Sequence, residues 1–253
     1  MKPSGNTILI TGGGSGIGRG LAEALHALGN QVIIAGRRQS VLDQTTAANP
    51  GMKSLVLDVE QPGNIRSFAA DVAAAFPKLN VLINNAGIMR AEKLLSQPDD
   101  LADAEAIVTT NLLGPIRLTA ALLPVLHQQA SATIINVSSG LAFVPLILTP
   151  TYCATKAAIH SYTQSLRYQL KSSAIEVLEL IPPYVATDLM SGANDPRAMP
   201  LHEFIAETMA ILTTQPTPPE ICVERVKGLR FAADGGHYDA VFNGLNAAMA
   251  DGH

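Results

Sequence analysis

The stretch ILITGGGSGIGRGLAEAL, residues 8–25, decides the fold. An apolar run suited to a buried strand leads into glycines at 12, 13, 14, 16 and 18, and then into the apolar spacing of an amphipathic helix. Glycine lets the backbone turn tightly and approach a ligand closely, and the unpaired N–H groups at a helix start favour negative charge. A strand, a glycine loop and an anion-binding helix end predict a nucleotide site. A plain tight turn would use the same glycines, so the reading depends on the rest of the chain.

Working outward, short apolar runs alternate with longer amphipathic ones. Strands are predicted at 7–11, 31–36, 53–59, 79–87, 132–139 and 175–181, with a short last strand in HYDAVFNGL, 237–245. Helices are predicted at 16–28, 38–48, 62–76, 98–129 with a break at Gly114-Pro115, and 150–172. Each is long enough for a right-handed crossover between parallel strands. The fold class is therefore α/β: a Rossmann-type, doubly wound parallel sheet of about seven strands, flanked by helices on both faces. After the sixth strand, PPYVATDLMSGANDPRAMP (182–200) is rich in Pro, Gly and Asn and opens a substrate lid at about 186–215, with helices following at 200–213 and 218–233. With no repeat or linker in evidence, residues 1–253 read as one domain.

Composition narrows the function classes. Of 253 residues 47% are apolar and 15% charged, as suits a large aliphatic core, and the net charge of −4 comes with no basic block to track a phosphate backbone. No nucleic-acid partner is expected. Cys153 and Cys222 lack CxxC or Cys/His spacing, and MKPSGNTILIT does not open like a signal peptide. A cytoplasmic location is expected. No uninterrupted apolar run reaches the roughly eighteen residues of a membrane span. His26, His127, His160, His202, His237 and His253 show no ligand spacing, so no metal is expected.

In LTPTYCATKAAIHSYT, residues 148–163, Tyr152 and Lys156 stand one helical turn apart on a shared face. Reducing a carbonyl requires a hydride, a proton donor and something to stabilise charge developing on oxygen. Tyr, Ser and Lys can meet the last two needs without a metal. A free Tyr, with a pKa of ~10, is a poor base at neutral pH. A neighbouring ammonium together with an oxidised nicotinamide would favour its phenolate. Where the second strand ends, an acidic residue would select NAD. This chain has AGRR instead, and Arg37 and Arg38 offer planar cationic forks to a 2′-phosphate. NADP(H) is thus preferred over NAD(H), although Arg38 also opens the next helix and could simply cap a turn.

Five motifs in order carry a resemblance: TGxxxGxG at the first loop, NNAG at 84–87, Asn111 in TTNLLG, Ser139 in INVSSG, and Tyr152-Cys-Ala-Thr-Lys156 thirteen residues after that serine. From about residue 6 to 190 the chain resembles the short-chain dehydrogenase/reductase family, and PPYV, AGRR and YDAVFNGL resemble its DltE-like branch. The resemblance implies that Ser139 bonds the substrate oxygen and Tyr152 passes the proton. Lys156 would hold the nicotinamide ribose, and the Asn111 carbonyl a water that extends the proton path. It implies cofactor contacts from Gly12, Gly14, Ser15, Gly16, Ile17, Gly18, Arg37 and Arg38. Asp58 and Val59 would meet the adenine, and Asn85, Ala86 and Gly87 the adenosine ribose. Pro182, Val185 and Thr187 would lie at the nicotinamide. Ser15 stands where some NADP-using relatives carry a second basic residue. Pro183 occupies the family's usual glycine position, stiffening the loop and removing a backbone donor.

Residues 140–148 (with Leu141), residues 87–90, Leu189, Met190, Met199 and Phe204 predict an apolar lining for a ketone, aldehyde or secondary alcohol, unless they merely pack the lid. The helices at 115–129 and 150–172 match those that relatives use for symmetric pairing, and Leu122, Leu126, Leu166 and Leu170 predict an outer apolar face for a homodimer or homotetramer. The rival readings are a non-catalytic NADP(H)-binding sensor, which would usually show a broken Tyr/Lys/Ser set, and a lyase or epimerase, which would usually be longer. Tyr162, Tyr168 and Tyr184 are expected to be core or cap residues.

Overall fold

A computed structural model describes residues 1–96, 101–190 and 195–250. Seven parallel strands form one sheet: β1 (Thr7–Thr11), β2 (Gln31–Gly36), β3 (Lys53–Val56), β4 (Leu79–Asn84), β5 (Ala132–Val137), β6 (Ile175–Ile181) and β7 (Glu220–Cys222), in the order β3-β2-β1-β4-β5-β6-β7. The crossovers are α1 (Gly16–Ala27), α2 (Gln39–Ala48), α3 (Pro62–Ala75), α4 (Ala102–Val108) with α5 (Gly114–His127), α6 (Pro150–Gln169) and α7 (Leu201–Leu212). After β7 come the short α8 (Lys227–Arg230) and the terminal α9 (Tyr238–Ala250).

Because strand side chains alternate between faces, β1 serves two cores. Ile8 and Ile10 pack with Leu21, Leu25, Phe204 and Leu212 on the face covered by α1 and α7. Leu9 packs on the other face with Phe68, Val72, Leu118, Leu126 and Leu166 from α3, α5 and α6. Both faces being covered explains why the strands read as unbroken apolar runs. The chain steps outward from β1 to β2 on one side and to β4 on the other. A crevice therefore opens at their carboxyl ends, where doubly wound sheets bind ligands.

Four expectations are corrected. The segment 237–245 lies in α9, not in a last strand; the seventh strand is the three-residue β7, inside the segment expected to be helical over 218–233. Residues 102–127 do not break at Gly114-Pro115. They pass through a π turn, Thr109–Leu113, and Pro115, which has no N–H to donate to the turn before it, sits just beyond in the first turn of α5. Leu122, Leu126 and Leu166 do not form an outer face: all three are buried against the sheet, and Leu170 packs beside them. Tyr168 is 70% exposed, with the Lys171 ammonium over its ring, and is not a core residue. The helix Ala102–His127 is long and apolar enough by composition to cross a membrane, but its α5 half contacts α3 and the strands β4 and β5. Of the predicted lid, residues 191–194 lie outside those described, as do the first residues of the helix predicted from 98, and His253.

Candidate active site

The glycine loop is shaped by contacts that a side chain would destroy. Gly12 has φ of +66°, and a Cβ there would lie 2.9 Å from Asn85 Nδ2. A Cβ on Gly18 would lie 2.3 Å from the Gly12 carbonyl oxygen, so the first turn of α1 presses directly on the loop. Ser15, the residue before α1, makes no side-chain capping bond, which leaves the helix's first N–H groups for an anion.

The loop forms one wall of a 170 Å³ cavity at the sheet's switch point, lined also by Gly36, Arg37, Arg38, Val59, Ala86 and Gly87. Asp58 and Asn85 make protein contacts of their own. Asp58 does not line the cavity; its carboxylate accepts from the Glu60 N–H at 3.0 Å, as a strand-end cap. Asn85 is a strut, donating from Nδ2 to the Thr11 carbonyl at 2.9 Å while its N–H donates to Thr11 Oγ1 at 3.0 Å. Glu60, which sequence reasoning missed, lines the cavity, takes an ion pair from Arg37 at 2.9 Å and accepts from Thr110 Oγ1 at 2.9 Å. The Arg38 side chain, by contrast, makes no bond to a described residue. Only the position of Glu60 just after Asp58-Val59 could have signalled it.

Beyond Gly87, the cavity runs toward the polar group the motifs predict. Asn111 sits in the π turn, a device frequent at functional sites. It clamps the backbone of Ile88: Oδ1 accepts from the Ile88 N–H and Nδ2 donates to the Ile88 carbonyl, each at 2.8 Å. Ser139 ends the β5 segment, and its Oγ accepts from the Leu141 N–H at 3.1 Å. Tyr152 and Lys156, from the first two turns of α6, are each 5% exposed, and the ammonium lies 5.5 Å from the phenol ring centroid.

Burial governs the electrostatics. It pushes the Tyr152 phenol well above its ordinary value, with a Ser139 hydrogen bond pulling the other way. It lowers Lys156 to about 8, partly opposed by the negative charge of Glu179. The phenol is therefore a held proton, not a phenolate, in the chain alone. Burial outweighs the Ser139 hydrogen bond there.

The lid residues divide. Thr187 reaches the glycine loop, its Cγ2 lying 3.3 Å from where a Gly16 Cβ would sit. Pro182 accepts from the Gly140 N–H at 2.9 Å, fixing the serine turn. Val185 bridges to Met199, and Met199 and Phe204 are buried in the core, so these two pack the lid instead of lining a substrate path. Tyr184 Oη donates to Asp195, whose carboxylate Arg197 holds far below the usual range, and Arg197 also donates to the Ala248 carbonyl.

Around Tyr152 and Cys153 the packing is apolar: Ile88, Met89, Leu141, Leu146, Leu148 and Leu245. A 390 Å³ cavity beside them is lined by Leu141, Pro145, Leu146, Ile147, Cys153 and Phe242, among others. Asn246 of α9 holds this loop by accepting from the Ile147 N–H at 2.8 Å and donating to the Pro145 carbonyl. The ligand-type atoms of His160, Glu179 and Glu220 lie within 4.8 Å of one another, a grouping that sequence spacing did not signal.

Comparison with known proteins agrees with this geometry. The short chain dehydrogenase family matches residues 6–198. An uncharacterized oxidoreductase, DltE, of Bacillus subtilis is 37% identical over 97% of this chain and 98% of its own. A short-chain dehydrogenase from Streptomyces avermitilis superposes with a TM-score of 0.80 at 28% identity, covering 94% of this chain and 96% of that one. Another, from Burkholderia cenocepacia and solved with NADP, gives 0.81 at 26% identity, covering 97% and 99%. Motif order, sheet topology and a match over most of the length lead to one conclusion: the chain belongs to the short-chain dehydrogenase/reductase family and is a DltE-like oxidoreductase.

Proposed function

We propose that the protein is an NADP(H)-dependent carbonyl reductase, or alcohol dehydrogenase in the reverse direction, acting on an apolar ketone, aldehyde or secondary alcohol. The observation that carries this reading is the buried group of Ser139, Tyr152 and Lys156 beside a cavity walled by the glycine loop. The cradle suits a dinucleotide: Gly12 and Gly18 leave no room for a Cβ, and the α1 N-terminus offers unpaired donors to a pyrophosphate. Arg38, free of partners among the described residues, is the fork for a 2′-phosphate, while Arg37 is held by Glu60. Ala86, Gly87, Val59, Val185 and Thr187 would complete the wall. Bound there, the dinucleotide supplies the hydride.

The chain's own residues do the rest. Ser139 Oγ donates to the substrate oxygen, and the Tyr152 phenol, protonated by virtue of its burial, gives up its proton as charge develops on that oxygen. Lys156, a cation below pH of about 8, faces the phenol and stabilises the phenolate left behind. The Asn111 clamp on Ile88 holds the floor of this site. Leu141, Leu146 and Met89 exclude water and favour apolar substituents. We further read the chain as one catalytic unit, homodimeric or homotetrameric and cytoplasmic; two free cysteines suit a reducing compartment.

Following nicotinamide absorbance with NADPH and with NADH against a panel of aryl, alkyl and polyhydroxylated carbonyls tests the reading. Faster oxidation of NADPH with apolar carbonyls is the expected result. Tight NADPH binding without oxidation by any carbonyl would favour a sensor instead.

A further inference from the structure

Behind Ser139 and Lys156 lies a carboxylate that the reaction scheme does not use. Glu179, in the middle of β6, is 0% exposed. A charge this deeply buried is costly unless it is paired and hydrogen-bonded. Its partners are specific. Ser138 Oγ donates to Oε1 at 2.5 Å, and His160 Nδ1 stands 3.1 Å from Oε1 and 2.8 Å from Oε2. The first length is typical of a hydroxyl bonded to an ionised carboxylate.

The partners are placed one step from the reacting groups. Ser138 immediately precedes Ser139, and His160 follows Lys156 by one turn of α6, on the same face. His160 is itself fixed: the Phe143 ring packs edge-on at 4.7 Å, and the Gln164 amide faces Nε2 at 3.1 Å. A cation site built from His160, Glu179 and Glu220 is opposed by Arg230, which already takes Glu220 through two bonds at 2.7 and 3.1 Å.

Resting on the reading of Ser139 and Lys156 given above, we propose that Glu179 is a positioning residue. Its carboxylate ties the serine turn at the end of β5 to α6 and places a fixed negative charge behind the Lys156 ammonium. The charged and titratable groups around it include Lys156 and His160 on α6, Arg167 on α6, which donates to the Val177 and Pro219 carbonyls, Glu220 and Cys222 on β7, and Arg230 on α8, whose charge is taken up by Glu220. Glu179, with His160 as its close partner, opposes the effect of burial on Lys156.

The test follows Lys156 directly, by side-chain NMR of carbon-13-labelled lysine in the cofactor-free full chain, assigned with Lys156→Arg. In Glu179→Gln the Lys156 titration midpoint should fall by about one pH unit. Glu179→Asp, which keeps the charge, should restore most of it. An unshifted midpoint in a folded Glu179→Gln chain overturns the electrostatic part. Ser138→Ala keeps the charge and cuts the tie, so amide exchange at Gly140 and Leu141 should speed up about tenfold, and kcat should fall by a similar factor with dinucleotide Kd little changed. Unchanged exchange there overturns the positioning part, and does so even if Glu179→Gln fails to fold. Should the wild type reduce no carbonyl, the proposed function fails, while midpoint and exchange still decide the role of Glu179.

Discussion

The Lys156 ammonium donates to the Val137 carbonyl oxygen, 2.8 Å away at the end of β5, inside a site that water barely reaches. One cation is therefore held by a strand end and a neighbouring aromatic ring. Its titration is a property of the fold.

A stability prediction follows from the sign of that shift. Lys156 titrates near 8 in the folded chain against an ordinary 10.5. Below 8 the buried charge is a standing penalty, on the order of 3 kcal/mol. Between 8 and 10.5 the unfolded chain holds more protons, so the penalty is relieved as pH rises. Lys156→Met removes it but also loses the bond to Val137, worth about 1 kcal/mol. The variant should be more stable than wild type by about 2 kcal/mol at pH 7 in urea titrations, with the gain shrinking above pH 8. A loss of stability at pH 7 would mean that the ammonium is better solvated than its burial suggests.

Tyr152→Phe keeps the ring and deletes the proton. Carbonyl reduction should fall by at least about a hundredfold, the usual weight of a general acid, while NADPH affinity stays within about twofold. Stopped-flow turnover and fluorescence titration read the two quantities separately. Near-normal turnover would remove Tyr152 from the chemistry.

The two arginines should not be equivalent. Arg37 is paired with Glu60, whereas Arg38 has no partner among the described residues. Arg38→Ala should weaken NADPH binding by about tenfold or more, as expected for losing a hydrogen bond to a charged group, and leave NADH binding unchanged. Arg37→Ala should do less. Equal losses for NADPH and NADH would remove the 2′-phosphate from the argument.

Gly18→Ala tests the cradle. The added methyl would stand 2.3 Å from the Gly12 carbonyl oxygen and 2.4 Å from Asn85 Nδ2, so backbone must move. Thermal unfolding should show a loss of about 1–3 kcal/mol, the usual range for overpacking. Calorimetry should find dinucleotide binding abolished. Retained binding would show that the loop relaxes more freely than its contacts suggest.

The glycine loop and the Tyr152/Lys156 pair were legible in the sequence because both are local: their meaning lies in spacings of a few residues within one strand-loop-helix or one helix turn. Glu60 and Glu179 were not, because what makes each matter is a partner far away in the chain, Arg37 in one case and Ser138 and His160 in the other. β7 has three residues, too few for periodicity to register, and the apolar spacing of 237–245 suits a helix as well as a strand. Leu122 and Leu126 were assigned to the wrong side of α5 because that helix is apolar around much of its circumference, which hides the face that meets the sheet.

Asn246 grips the 145–147 loop through its side chain, while the Ala248 carbonyl takes a bond from Arg197 of the lid. On the proposed function, proton transfer belongs to β5 and α6, and the wall facing the substrate is closed by α9. If that function holds, recognition and chemistry are separately editable: exchanging α9 with that of a relative should retune which carbonyls enter while leaving proton transfer as it is.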